Sequence, residues 1–170
     1  MKKLKKTVVF LMLLVTVYLL GFVTMEAEAA DSQFCYDVKY GQTKARTMLK
    51  MMNDFRTGDE AWYWQPDNTT KYVATDLEEL VYDYDLEKIA MQRAAECAAA
   101  FSHTRPDGTS CFTCTFNGVS SYGENIAAGT AMNTVEEAFE LWQETDDDYA
   151  GQGHRRNMLK DRYTAVGIGY

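Results

Sequence analysis

Apolar residues recur every three or four positions in three stretches of the chain, which is the spacing of an amphipathic helix. The first stretch covers residues 43–57, and the second covers 85–101, with Asp85 expected to cap the free amides of its first turn. The third opens with a capping-box pair, Thr134 and Glu137. One face of the second stretch is apolar except for a single arginine: Leu86, Ile89, Ala90, Arg93, Ala94, Cys97, Ala98 and Phe101. The pattern predicts three helices.

Shorter segments between and after these helices have the pattern of strands and turns. Residues 165–170 alternate as a strand does, and Ile126 is also strand-like. The aromatic residues 62–64 are expected to pack against a sheet. The Pro-Asp-Gly sequence at 106–108 predicts a turn, because proline fixes one backbone dihedral and glycine accepts a positive one. His103 is therefore predicted at a rigid corner at the edge of the core.

The N-terminal segment has the features of an export signal. Four lysines among the first six residues precede an apolar run over 8–23, and small residues follow at 27–29, where a signal peptidase reads. We therefore expect a signal peptide at 1–29, an N-terminal extension at 30–42 and one domain at 43–170. The apolar run is nearly long enough to span a bilayer, so an uncleaved N-terminal anchor is the alternative to a secreted protein.

Charge limits the partners that the chain can bind. The formal net charge is −8, and loss of the first 29 residues would change it to −10, because four lysines and two glutamates are removed. Nucleic acid and anionic membrane surfaces both require a basic patch. We therefore expect no nucleic-acid partner, and no membrane contact after signal cleavage.

The cysteines Cys35, Cys97, Cys111 and Cys114 all follow the predicted signal peptide. An even number of cysteines in an exported protein suggests disulfides, and four cysteines allow three full pairings. Cys111 and Cys114 also have the spacing of a redox motif or half of a zinc site. They do not open a helix after a strand, however, and no second ligand pair is present. A structural bridge or free thiols are therefore favoured.

Both histidines of the chain, His103 and His154, lie in loop-like segments, and Glu124 stands between them in sequence. Two neutral imidazoles with one or two carboxylates suit a divalent metal such as zinc, or a general base with its orienting acid. Ser102 adjoins His103, but sequence neighbours rarely point toward each other in a catalytic triad. The acidic run 146–148 lacks the spacing of a calcium loop. Alternatively, the histidines are buried hydrogen-bonding residues that hold loops against the sheet.

Four segments in this order resemble the CAP superfamily (SCP domain) of cysteine-rich secretory, antigen 5 and pathogenesis-related proteins, and especially its bacterial exported branch: 101–108, 123–127, 153–159 and 165–170. The resemblance implies an α+β fold, a three-layer α-β-α sandwich with a small antiparallel sheet. It also implies a cleft lined by two histidines and two acidic residues. His103, Glu124 and His154 match three of these four cleft positions.

The chain departs from the family pattern at two places. The second acid of the family follows the tryptophan of the third helix by three residues, a position that Thr145 occupies here. Glu144, one residue earlier, is expected to substitute through a local change of register; otherwise the cleft holds three groups of four. Family members also continue past the strand at 165–170. The domain is therefore expected to be C-terminally truncated and to lack its last strand, which leaves an unpaired sheet edge.

The resemblance and the candidate residues predict an exported binding or interaction module. Its His/Glu-lined cleft would hold a small ligand or a divalent metal such as zinc or calcium, with His103 and His154 as the metal ligands. The expected partner is an extracellular ligand or a cell-envelope component. A metal-dependent peptidase or hydrolase is one alternative, and a carrier of lipids or sterols, as some family members are, is another.

Overall fold

The computed structural model describes residues 38–129 and 134–170. The predicted signal peptide, Cys35 and most of the predicted N-terminal extension lie outside these residues. The described α-helices are α1 (Ala45–Thr57), α2 (Tyr84–Ala99), α3 (Val135–Gln143) and α4 (Gly153–Met158). The described strands are β1 (Trp62–Trp64), β2 (Lys71–Val73), β3 (Val81–Tyr82), β4 (Thr115–Phe116), β5 (Val119–Ser120) and β6 (Ala165–Val166). Short 3-10 turns occupy Gln42–Lys44 and Cys111–Thr113. None of the described helices is long and apolar enough to cross a membrane.

The predicted α+β class is confirmed, and the strands form three two-stranded sheets. β1 pairs with β2 and β4 pairs with β5, both antiparallel, whereas β3 and β6 are parallel. The predicted strand at 165–170 is only two residues long, because the chain beyond it packs against α2. A Cβ on Gly167 would lie 2.0 Å from the backbone carbon of Leu86, so only glycine fits this close approach. Ile126, which we predicted to be strand-like, lies in irregular backbone.

Helix α2 begins and ends earlier than its apolar pattern indicated. Its N-cap is Asp83, not Asp85, and the Asp83 carboxylate accepts hydrogen bonds from the amides of Asp85 (2.8 Å) and Leu86 (2.9 Å). Asp83, which directly follows β3, caps the helix because its backbone is extended, whereas Asp85 lies within the helix. The helix ends at Ala99, so Phe101 leaves the apolar face and is 56% exposed. The capping box of Thr134 and Glu137 is confirmed at the start of α3.

The core lies between α1 and α3 and the loops around α4. Phe55 of α1 meets Phe139 of α3 edge to face, with ring centroids 5.9 Å apart. Trp62 is buried, and Tyr63 stacks on Tyr72 of β2. The aromatic segment 62–64 was predicted to pack against a sheet, whereas in the structure it is itself a strand with buried or half-buried side chains.

Two fully buried arginines connect this core to the loops beside α4. Arg56 donates to the carbonyl oxygens of Met158 (2.5 Å), the last residue of α4, and Lys160 (3.1 Å), two residues beyond it. Arg155, within α4, donates to the carbonyls of residues before and within β1. Burial lowers the pKa of both guanidinium groups from the ordinary arginine value. These arginines hold α4, and with it His154, in a fixed position.

Candidate functional site

His103 and His154 line the same surface cleft, although 51 residues separate them in sequence. Two open cavities of about 420 and 790 Å³ meet at these two side chains. The smaller cavity also contacts Phe101 and Ile126. All four residues predicted to form the cleft line the larger one: His103, Glu124, Glu144 and His154.

The loop after α2 holds His103 in a tight hairpin. The predicted turn is present, with Gly108 at a φ of +81°, and Thr104 pairs with Ser110 across it. The amide of Cys111 donates to the carbonyl of His103 at 3.0 Å. The His103 side chain is 57% exposed and directs Nδ1 toward Glu124 Oε1, 2.8 Å away. The backbone of His103 is therefore fixed, while its ring faces the cleft.

Glu124 is held from its other side by Arg93 of α2. Arg93 donates from Nε to Oε2 (2.7 Å) and from Nη2 to Oε1 (3.1 Å), and it also pairs with Glu96 at 2.6 Å. Burial opposes ionisation of Glu124, but the hydrogen bonds from Arg93 and His103 outweigh it and lower the pKa of the carboxyl. Glu124 is therefore a fixed anion that orients the His103 ring.

His154 has a carboxylate partner of its own, Glu144. This residue follows α3 in the left-handed conformation, with a φ of +45°. Its Oε1 lies 2.5 Å from His154 Nδ1, and its Oε2 accepts from the amide of Arg155 at 3.1 Å. Thr145 instead lies 3.5 Å from the Arg155 guanidinium. The left-handed residue thus supplies the change of register that brings Glu144, one position early, against the second histidine.

The two histidine–carboxylate pairs are connected through the loop between them. Asn157 of α4 donates to Asn125 Oδ1 at 2.8 Å, and Asn125 donates to the carbonyl of His154 at 3.2 Å. A Cβ on Gly123 would lie 2.7 Å from Asn157 Oδ1, so this glycine allows the Glu124 loop to approach α4. Each histidine uses Nδ1 for its carboxylate. Within residues 38–129 and 134–170, no hydrogen bond engages either Nε2 atom.

Cys111 is a third group beside His103 and Glu124 that we did not predict for the site. One ligand atom from each of these residues lies within 4.8 Å of the others, and Cys111 is buried. The hairpin could have revealed it, because a turn at 106–108 places residue 111 opposite 103. Burial raises the pKa of the Cys111 thiol, which is therefore protonated at neutral pH and a poor nucleophile.

The cysteines that the structure describes are free thiols: Cys97, Cys111 and Cys114. A disulfide among these three cysteines was one prediction, and it is wrong. Free thiols were the alternative, and the structure has them. Arg93 was predicted on the face of α2, but its role as the partner of Glu124 was not. The sequence did indicate a partner for Arg93, because a charged residue on an otherwise apolar helix face requires a buried counter-charge.

Comparison with protein families matches most of the chain to one of them. A sequence model described as "CAP: Cysteine-rich secretory protein family" matches residues 49–170, which include both histidine–carboxylate pairs and Cys111. No curated protein and no solved structure matches the chain significantly.

Proposed function

The chain belongs to the cysteine-rich secretory protein (CAP) family, and from this premise we propose that it is an exported binding module whose cleft holds a divalent metal ion. His103 and His154 would be the metal ligands. The proposal rests on one observation above all: two histidines that line the same cavity are each oriented through Nδ1 by a carboxylate. The extracellular or cell-envelope ligand would bind at the open side of this cavity.

The donor set suits zinc better than calcium. Imidazole nitrogen is a preferred ligand of zinc, and zinc-bound histidines commonly donate their second ring nitrogen to a carboxylate. Glu124 and Glu144 occupy that supporting position here. Calcium takes six to eight oxygen ligands. The acidic run 146–148 belongs to no cluster of potential ligands among the described residues. We therefore expect zinc bound by one nitrogen of His103 and one of His154, with its other coordination positions open to solvent or ligand.

The surroundings of the cleft favour binding over turnover. A carboxylate that acts as a general base must accept a proton near neutral pH. Glu124 is instead locked by Arg93, with a lowered pKa, and Glu144 is shared between His154 and the amide of Arg155. Ser102 Oγ accepts a hydrogen bond from the amide of Thr104 at 3.0 Å within the hairpin. These contacts support a binding module more than a peptidase.

Side chains around the larger cavity indicate the kind of ligand that would fit. Phe112 is 45% exposed and Tyr122 is 76% exposed, and both line the cavity with Lys160. Exposed aromatic rings offer flat apolar contacts, and Lys160 adds a positive charge to that of a bound metal. We therefore propose a ligand that combines a carboxylate or another anionic group with an apolar face.

Zinc titration of the mature Cys111→Ser protein by calorimetry tests this function, because the substitution removes the thiol that clusters with His103 and Glu124. We expect one zinc ion per chain, and an affinity at least about 100-fold lower in both His103→Ala and His154→Ala. Glu144→Gln should weaken zinc binding by about tenfold, because it loosens the orientation of His154 without removing a ligand. The matched control is Glu140→Ala, at an exposed position of α3, which should bind zinc as the Cys111→Ser protein does. Equal zinc affinities in the Cys111→Ser protein and in both of its histidine variants would contradict the proposal.

A further inference from the structure

The thiol of Cys111, together with His103 and Glu124, forms a second set of potential metal ligands in the cleft. Among the described residues, His103, Cys111 and Glu124 are the group whose potential metal-ligating atoms cluster, all within 4.8 Å of one another. Cys111 is 3% exposed and the Glu124 side chain is 11% exposed, whereas the His103 side chain is 57% exposed. Cys111 is thus buried, Glu124 is mostly buried and held by Arg93, and His103 is reachable from solvent.

The backbone around Cys111 fixes this arrangement before any ligand arrives. Ser110 pairs with Thr104 across the hairpin, and its hydroxyl caps the following 3-10 turn by accepting from the amide of Phe112 at 3.3 Å. The amide of Cys111 is bonded to the carbonyl of His103. Because the hairpin joins these residues directly, the histidine and the thiol stay on the same side of the loop.

We propose that His103, Cys111 and Glu124 form a thiolate metal site for zinc or a similar cation, using Nδ1 of His103. The metal would replace the proton that lies between Nδ1 and Glu124 Oε1. On binding, the Cys111 thiol transfers its proton to water, and the single proton of the neutral His103 imidazole moves through solvent from Nδ1 to Nε2, which frees Nδ1 for the metal. Thiolate, imidazole and carboxylate are the three ligand types that zinc takes in proteins. The Cys111 thiolate and the Glu124 carboxylate together balance the charge of the divalent ion.

The distances require only a modest closure. Ligand atoms around tetrahedral zinc are about 3.3–3.5 Å apart, as follows from bond lengths of about 2.0–2.3 Å. His103 Nδ1 and Glu124 Oε1 are 2.8 Å apart and must separate slightly, whereas a pair at the 4.8 Å limit must approach. The exposed His103 ring can make this movement. Arg93 stays paired with Glu96 at 2.6 Å, so its charge is compensated even when Glu124 shares an oxygen with a metal.

This site differs from the two-histidine site of the proposed function and competes with it. A neutral imidazole has one free nitrogen, so His103 binds metal through Nε2 beside His154 or through Nδ1 beside Cys111. Removal of His154 therefore eliminates the first site and leaves the thiolate site complete. Removal of Cys111 does the reverse. The two proposals can consequently fail separately.

Titration of the reduced protein with Co²⁺ tests the thiolate site, because a cobalt–thiolate bond produces a charge-transfer band in the near ultraviolet. The titrations use a Cys35→Ser background, which removes the one cysteine outside the described residues. We expect the band to appear and saturate at one cobalt per chain. It should persist in His154→Ala and in the matched control Cys114→Ser. It should disappear in Cys111→Ser, and the affinity of His103→Ala for cobalt should fall at least about tenfold.

Two results would overturn the thiolate site. One is cobalt binding to the Cys35→Ser protein without a charge-transfer band. This result does not depend on whether any other variant folds. The other is a band that survives in Cys111→Ser. If cobalt binds without the band and His154→Ala abolishes that binding, the two-histidine site stands and the thiolate site fails.

Discussion

Replacing Arg155 by methionine is expected to lower the free energy of unfolding by about 4 kcal/mol. Arg155 is completely buried, and its guanidinium donates to the carbonyls of Glu60 (2.6 Å), Trp62 and Gln143 (2.7 Å). The group also lies over the Trp62 ring, 4.3 Å from its centroid. Methionine can fill much of this volume but has no donor, so these carbonyl oxygens lose the hydrogen bonds that Arg155 supplies.

Urea unfolding followed by circular dichroism measures this effect. Arg162→Met is the matched control, because Arg162 is exposed and its removal should change stability by no more than about 0.5 kcal/mol. A loss below about 1 kcal/mol in Arg155→Met would show that the arginine does not hold α4 in place.

Replacing Arg93 by methionine is expected to destabilise the fold by about 3 kcal/mol near neutral pH, and by progressively less in acid. The Arg93 side chain is 4% exposed and is paired with two carboxylates, Glu96 and Glu124. Its removal leaves Glu124, whose side chain is 11% exposed, with His103 as a hydrogen-bond partner and without the guanidinium that balanced its charge. An uncompensated buried carboxylate is costly while it is charged.

The pH dependence follows from the lowered carboxyl pKa values. Burial opposes ionisation of Glu96, but hydrogen bonds from Arg105 and Arg93 outweigh it and lower its pKa from 4.5 to about 2. A carboxyl whose pKa is lower in the folded state stabilises the fold above its unfolded pKa. That contribution is lost as the pH falls from 4.5 toward about 2. The difference between Arg93→Met and the wild type should therefore be largest above about pH 5 and smaller at about pH 3.

Urea unfolding at both pH values checks this prediction. The matched control is Lys50→Met, because the ion pair of Lys50 with Asp54 joins side chains that are 74% and 63% exposed. An exposed pair of this kind contributes less than about 0.5 kcal/mol. A destabilisation by Arg93→Met that is the same at both pH values would contradict the charge pairing.

Helices α1, α2 and α3 could be predicted from the sequence because each repeats its apolar residues over at least two turns. The strand pairing could not, since β3 and β6 have two residues each and join residues 84 positions apart. The start of α2 was misplaced at Asp85 for a related reason. Both Asp83 and Asp85 can cap a helix, and the end of β3 decides between them.

The sequence could predict which residues form the site but not how they contact one another. The resemblance indicated His103 and His154 with their acids, but the left-handed backbone of Glu144 had to be seen to show which acid reaches His154. Cys111 was read together with Cys114 as a pair, whereas the hairpin places it beside His103. Cys114 is closer to Cys111 in sequence, but the turn at 106–108 reverses the chain and brings His103 beside Cys111 instead.

Anomalous diffraction at the zinc absorption edge tests the central claim, that His103 and His154 face one metal-binding cleft. The crystals should be grown with zinc from the Cys111→Ser variant, in which the competing thiolate site is removed. The predicted result is one strong anomalous peak about 2.0–2.1 Å from Nε2 of both histidines. A structure without such a peak, or with zinc bound by neither Nε2 atom, would contradict the claim.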